Sequence, residues 1–288
     1  MKFGLFACNM GPCADPAVAE RVARAAEAAG FESLWTGEHV VLPDPQAPPS
    51  PVPPFEPMLD PTVALTFLAA HTKKVRLGTG IIILPQRNPL VLAKELASLD
   101  VLSSGRLVFG VGIGYLEPEF RALGIPFEDK GARTEEYLGA MKAIWTMDKP
   151  SFSGRFASFS GVQARPQPVQ KPHPEIVFGG HTPAAYSRAA RLAKGWYGFA
   201  LDVERTKAAI AALRVACEKA GRRFEDLEIS VTPAPERGGD RTILDRDAAM
   251  RFADLGVHRL IPYAARARDE KALLGAVDQA EGTLIGKV

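Results

Sequence analysis

Val75 to Tyr115 reads VRLGTGIIILPQRNPLVLAKELASLDVLSSGRLVFGVGIGY. Two glycine-bearing apolar runs flank a helical pattern, which is the signature of a βαβ unit. The run from Val75 to Leu84 is too apolar for a strand with one wet face, so it is expected to be buried on both sides, as in a parallel sheet. Leu92, Leu96 and Leu99 fall on one stripe at helical spacing. Ser103-Ser104-Gly105 stops that helix, with Gly105 as a left-handed cap. Glycines at 78, 80, 110, 112 and 114 weaken strands, so their density at the strand ends points to close approach by backbone or ligand. Ordinary bends at barrel corners are the plainer explanation for any one of them.

Outward from this unit, apolar runs predict strands near 2 to 8, 33 to 37, 75 to 84, 107 to 113, 175 to 179, 196 to 200, 227 to 232 and 257 to 262. Helical patterns separate them. Asp15 can cap the first helix, Pro16 suits its first position, Val18, Val22 and Ala26 line one face, and Gly30 ends it. Ile210, Leu213 and Cys217 mark a late helix that stops at Gly221. This alternation predicts an α/β chain folded as a (β/α)8 TIM barrel, one domain over residues 1–288. A doubly wound dinucleotide fold is the rival, but GVGIGY lacks the full G-x-G-x-x-G spacing: Glu117 stands where the third glycine would be.

Two segments interrupt the repeat. Leu42 to Pro61 carries prolines at 43, 45, 48, 49, 51, 53, 54, 57 and 61, which excludes helix and favours extended chain. Because it follows strand two, it is expected to form a rim loop over the catalytic face, a disordered linker being the alternative. Pro150 to Pro174 alternates aromatic and polar residues in SFSGRFASFSG, the pattern of a small β excursion before strand five.

The chain has 288 residues, 47% hydrophobic and 24% charged, with a formal net charge of +2. Acids and bases are interspersed, so no nucleic-acid footprint is expected. Cys8, Cys13 and Cys217 are odd in number and lack C-x-x-C spacing, against a disulfide framework or structural zinc. The N-terminal apolar run is short for a signal peptide, and no segment reaches the roughly 20 apolar residues of a membrane span. A cytoplasmic, unanchored protein is expected.

In a TIM barrel the active site lies at the C-terminal ends of the strands, so position selects the candidates. Asn9, Glu38, His39, Thr79, Gly80, Gly112, Gly114, Tyr115, Gly179, Gly180, His181 and Thr182 all follow an apolar run. Gly179 to Thr182 joins a strand to a helix, with Thr182 as cap and Pro183 in the first turn. Such a helix start offers free N–H groups and a positive dipole end to an anion, and a phosphate would sit well there. His39 can exchange a proton near neutral pH, and the adjacent Glu38 can tune it or contact a ligand hydroxyl. Neighbours in a strand point to opposite faces, so the two need not touch. His71, His173 and His258 show no metal-ligand spacing, and no G-x-S-x-G elbow marks a serine hydrolase. No catalytic metal is expected.

These motifs, in this order, resemble the bacterial-luciferase-like monooxygenase superfamily, particularly its short coenzyme F420-dependent oxidoreductases. The resemblance runs from the first strand through Gly179-Gly180-His181-Thr182-Pro183-Ala184-Ala185 to Gly195-Trp196, about the first two thirds of the chain. It implies a cofactor phosphate at Gly179, Gly180, His181 and Thr182. It also implies a bulge at Thr79-Gly80-Ile81 with a non-proline cis peptide behind the cofactor ring, and a histidine, His39, close to the reactive ring. Asn9, Gly112, Gly114 and Tyr115 complete the expected cofactor contacts, with Glu38 and His39 as the expected catalytic pair. Glu38 departs from the aspartate of some members. Tyr115 stands where sugar-phosphate dehydrogenases of this superfamily carry a glutamate, so sugar-phosphate oxidation is not implied; it can stack on the cofactor, donate a proton or simply pack, with packing or stacking as its first expected role.

The resulting expectation is hydride transfer between coenzyme F420 and a small organic substrate. The alternatives are an FMN-dependent monooxygenase using molecular oxygen and a non-enzymatic flavin-binding protein, because fold does not dictate function. The superfamily also implies a possible homodimer.

Overall fold

The computed structural model describes residues 1–234, 245–263 and 267–288. Its strands are β1 (Lys2–Leu5), β2 (Ser33–Thr36), β3 (Arg76–Thr79), β4 (Ile82–Ile83), β5 (Leu107–Gly112), β6 (Phe152–Ser153), β7 (Ser158–Phe159), β8 (Glu175–Gly179), β9 (Gly195–Leu201), β10 (Glu228–Pro233) and β11 (Arg259–Leu260). Its helices are α1 (Pro16–Ala28), α2 (Pro61–His71), α3 (Pro89–Leu102), α4 (Glu117–Ala122), α5 (Lys130–Thr146), α6 (Pro183–Leu192), α7 (Val203–Lys219), α8 (Arg246–Asp254) and α9 (Glu270–Thr283). Parallel pairing runs β3-β2-β1-β11-β10-β9-β8-β5-β4 and closes through β3–β5. With β3 and β4 as successive parts of one stave, this is the expected closed barrel of 8 parallel strands. The separate β6–β7 hairpin, Phe152 opposite Phe159, is the small excursion expected after Pro150.

The stretch from 75 to 84 is not one strand. Leu77 and Gly78 pair with Leu107 and Val108, whereas Ile82 and Ile83 pair with Val111 and Gly112, so one extra residue is accommodated between the halves. The physical reason is a side chain in the ladder. Thr79 Oγ1 donates to the Gly110 carbonyl and accepts from the Gly110 N–H, both at 2.8 Å, in place of backbone partners. The Gly80–Ile81 peptide that follows is cis.

Caps set the helix starts. Asp15 accepts from the N–H groups of Ala17 and Val18, and Asn88 does the same for Leu90 and Val91, each just before a proline that needs no N–H partner. Leu92, Leu96 and Leu99 of α3 are buried as their spacing predicts. That helix ends through two left-handed residues, Ser104 and Gly105.

The barrel is filled rather than hollow. Trp35 stacks on Tyr197 with centroids 5.5 Å apart, and Phe6, Met10, Val108, Val177 and Ile261 complete the inner cluster. Gly78 is required by this packing, since a Cβ there would enter the Trp35 ring. At the N-terminal end, buried Arg259 makes paired hydrogen bonds to Glu32 at 2.8 and 2.9 Å and approaches Glu228 at 2.7 Å. Burial acts to raise the Glu32 carboxyl, but the Arg259 guanidinium outweighs it and holds the group below its ordinary value. With this end filled and paired, the opposite end is left for chemistry.

Candidate active site at the C-terminal mouth

β2 ends at Thr36, and the chain continues through Gly37 into Glu38 and His39, which turn to different partners. Glu38 is buried, with its side chain 1% exposed. It accepts from the Ile83 N–H and from Arg87, whose guanidinium also reaches Asp60 Oδ2 at 2.6 Å. Burial opposes the charge on Arg87, yet Glu38 and Asp60 carry its pKa above the ordinary value. Glu38 thereby ties β2 to the end of β4 and, through Arg87, to the N-cap of α2. Its oxygens are occupied by protein, which gives this expected catalytic residue an evident structural task.

His39 faces Glu119 of α4. Its Nδ1 lies 3.1 Å from Glu119 Oε2, and its Nε2 lies 3.2 Å from the Tyr115 hydroxyl. The other carboxylate oxygen of Glu119 accepts from the N–H of Val40 at 2.6 Å and of Val41 at 3.4 Å. Exposure rises along this row, from 0% for the Glu119 side chain to 7% for that of His39 and 49% for Tyr115. Burial, with the Glu119 charge, pushes the Tyr115 phenol up to about 12, so it is protonated at neutral pH. Tyr115 is thus a half-exposed hydroxyl at the mouth, and its ring meets the imidazole edge-on.

Several other expected contacts are engaged by the protein itself. Both amide hydrogens of buried Asn9 are used, on the carbonyls of Gly37 (2.9 Å) and Leu59 (2.6 Å), while its Oδ1 accepts from the Gly37 N–H at 2.9 Å. Asn9 therefore clasps the end of the proline-rich segment onto the barrel. Thr79 is spent on Gly110, as described above. A Cβ at Gly112 would strike Ile81, and one at Gly114, whose φ is +76°, would strike Phe120 and Ile83. The close approach that these glycines allow is by the chain itself.

The proline-rich segment between β2 and α2 lies at the mouth, as its place in the sequence predicts. Val52 and Met58 pack against the inner cluster, and Met58 Sδ accepts from the His39 N–H at 3.2 Å. Phe6, Phe199 and Tyr263 surround the same end, with Phe6 centroids 5.1 Å from Phe199 and 5.3 Å from Tyr263. Ile81 packs beside them, giving the mouth an apolar floor.

Gly179 to Thr182 joins β8 to α6 as expected. Thr182 caps the helix through the Ala185 N–H at 3.2 Å, and Gly180 has φ +119°. His181 Nε2 accepts from the Phe199 N–H at 3.1 Å, so Nδ1 carries the proton of the neutral ring. Burial and the nearby Arg205 charge lower the His181 pKa, keeping that ring neutral near pH 7. Arg205 lies in the first turn of α7, and its charge, felt at His181, adds a cation to a helix start that already favours an anion.

Residues 1–279 match the model of the luciferase-like monooxygenase family. The chain belongs to that family. Among luciferase-like relatives, an uncharacterized protein of Mycobacterium tuberculosis is 31% identical over 271 residues, 91% of each chain. The FMNH2-dependent dimethylsulfone monooxygenase of Pseudomonas putida is 36% identical over 156 residues, 53% of this chain and 42% of that one. A solved F420-dependent secondary alcohol dehydrogenase superposes with a TM-score of 0.80 at 17% identity, covering 100% of this chain and 99% of that one. At that identity the likeness is one of fold. Members of this family are flavin- or F420-dependent oxidoreductases and monooxygenases.

Arg87, Glu119 and Arg205 were not among the candidates drawn from the sequence. Glu119 had a local signal, an acid in the first turn of a helix with Pro118 at its second position, but nothing in its spacing connects it to His39 across 80 residues. Among the described residues no helix is long and apolar enough to cross a membrane.

Proposed function

We propose that this chain is a coenzyme F420-dependent oxidoreductase that moves hydride to or from a small organic substrate. The observation that carries the reading is the Glu119–His39–Tyr115 row, which brings a proton-exchanging group to the apolar mouth of a luciferase-like barrel. The mouth fits a deazaflavin on two further counts. Phe6, Ile81, Phe199 and Tyr263 offer an apolar floor for a planar ring, and the α6 start beside Arg205 suits a phosphate. When bound, the deazaflavin supplies two-electron hydride chemistry. Gly179, Gly180, His181 and Thr182 would hold its phosphate, Gly80 and Ile81 would back its ring, and His39 would manage the accompanying proton.

The relative named as FMNH2-dependent favours a second reading, an FMN-dependent monooxygenase using molecular oxygen. The absorbance spectrum of the protein after incubation with each cofactor and gel filtration distinguishes the two. Retention of coenzyme F420 supports the first reading. Retention of FMN alone, with oxygen consumption when reduced FMN and a substrate are supplied, replaces it with the second.

A further inference from the structure

We infer that the substrate of this barrel is an uncharged aromatic compound, held at the mouth by Phe55, Tyr115 and the apolar side chains beside them. The inference rests on the reading of the C-terminal mouth as the active site and names the substrate class that it takes.

Among the described residues the exposed aromatic side chains are Phe55 (83%), Tyr115 (49%) and Phe199 (36%), and all three stand at this mouth. Val40, Val41 and Leu59 are exposed there too. Val40 and Val41 continue the chain from His39, and Leu59 follows Met58, whose sulfur accepts from the His39 N–H. Single apolar side chains are ordinary on a protein surface, but a set gathered around one candidate site marks a place where something apolar binds.

These side chains are held in place before any ligand arrives. Phe55 sits in a turn closed by the Glu56 N–H on the Pro53 carbonyl at 3.1 Å. Both flanks of that turn are fastened: Val52 and Met58 pack against the inner cluster, and the N–H groups of Gly11 and Leu59 bond the carbonyls of Pro57 and Asn9 at 3.0 and 2.9 Å. Glu119 holds the N–H groups of Val40 and Val41, and the Tyr115 hydroxyl rests on His39 Nε2. An aromatic ring fixed in water in this way loses little freedom when a ligand covers it, so more of the burial energy remains for binding.

Charge decides against an anion. Residues 40–61 include Asp44, Glu56 and Asp60 but no lysine or arginine. Arg87 is taken by Glu38 and Asp60. The Glu56 charge also reaches the floor, since burial raises the Tyr263 phenol and that charge adds to the rise. This side of the mouth therefore repels a carboxylate or a phosphate, whereas an uncharged ring gains from stacking and from leaving water.

The test is equilibrium dialysis of 2-methoxynaphthalene and of 2-naphthoate, which share one ring system and differ in charge. It is run on the cofactor-free protein and again with coenzyme F420 or FMN present. The neutral compound is expected to bind more tightly by about tenfold or more, and Phe55→Ser is expected to weaken it about tenfold. Leu102→Ser, at an exposed position where α3 ends on the opposite side of the barrel, is expected to leave it unchanged. Tighter binding of the carboxylate overturns the substrate class. Unchanged affinity in a folded Phe55→Ser, or displacement of the probe by a bound cofactor, overturns its placement. A wild-type dimer that Phe55→Ser splits on gel filtration makes Phe55 a contact between two copies and overturns the inference as well. If neither cofactor binds, the cofactor reading fails instead, and dialysis of the cofactor-free protein still judges the substrate class.

Discussion

The carboxylate that holds His39 is Glu119, 3.1 Å from Nδ1, and not the adjacent Glu38, which is committed to Arg87. Adjacent residues at a strand end thus divide the work. One braces the barrel mouth, and the other completes a row of exchangeable protons.

That division predicts opposite outcomes for neighbouring substitutions. His39→Ala is expected to fold and bind cofactor normally while turnover falls by about 10² or more. Glu38→Ala is expected to lower unfolding free energy by about 3 kcal/mol, because it removes the buried partner of the partly buried Arg87 guanidinium. Urea melts and steady-state kinetics on both variants check this. A destabilised His39→Ala with full specific activity would make His39 structural.

The cofactor reading predicts a binding preference. Coenzyme F420 is expected to bind at least tenfold tighter than FMN, a gap of about 1.4 kcal/mol, because the carboxylates of its tail can meet cations at the rim. Raising ionic strength should narrow the gap by screening those contacts. Arg205→Ala should weaken binding of either cofactor through the phosphate at α6. Fluorescence titrations at low and high salt measure all three effects, and tighter FMN binding would reverse the assignment.

Asn9 should prove a clasp. Asn9→Ala leaves the Gly37 N–H and the carbonyls of Gly37 and Leu59 without their side-chain partner, at a cost of about 1 to 3 kcal/mol. Hydrogen exchange should quicken at Gly11 and Leu59, whose N–H groups bond Pro57 and Asn9 across the same junction. Unchanged exchange there, with weakened cofactor binding, would return Asn9 to the ligand.

Stability should fall in acid through Glu32. Its pKa is lowered in the folded protein by Arg259, so its contribution is complete above the unfolded value of about 4.3 and disappears as pH drops through the lower folded value. Denaturant melts from pH 7 to pH 3 should show a smaller acid loss in Glu32→Gln than in the wild type. An identical pH dependence in both would mean that the pair contributes nothing to acid sensitivity.

Periodicity and punctuation made the barrel legible. The apolar runs, the helical stripes at Leu92, Leu96 and Leu99, and the Asp15-Pro16 and Thr182-Pro183 starts all reflect local rules of burial and capping, which act over a few residues and so can be read in order. The same rules placed Glu38, His39, Tyr115 and Gly179 to Thr182 at one end, because a parallel barrel gathers every strand end on one face. Which of these residues touch was decided by the tertiary structure alone. Glu38 meets Arg87 and His39 meets Glu119 through contacts 49 and 80 residues apart in sequence. The break in the third stave likewise depends on the Thr79 hydroxyl bonding Gly110 on a neighbouring strand. Pairings of this kind depend on register and on the directions in which side chains leave the backbone, and neither leaves a periodic trace in the chain.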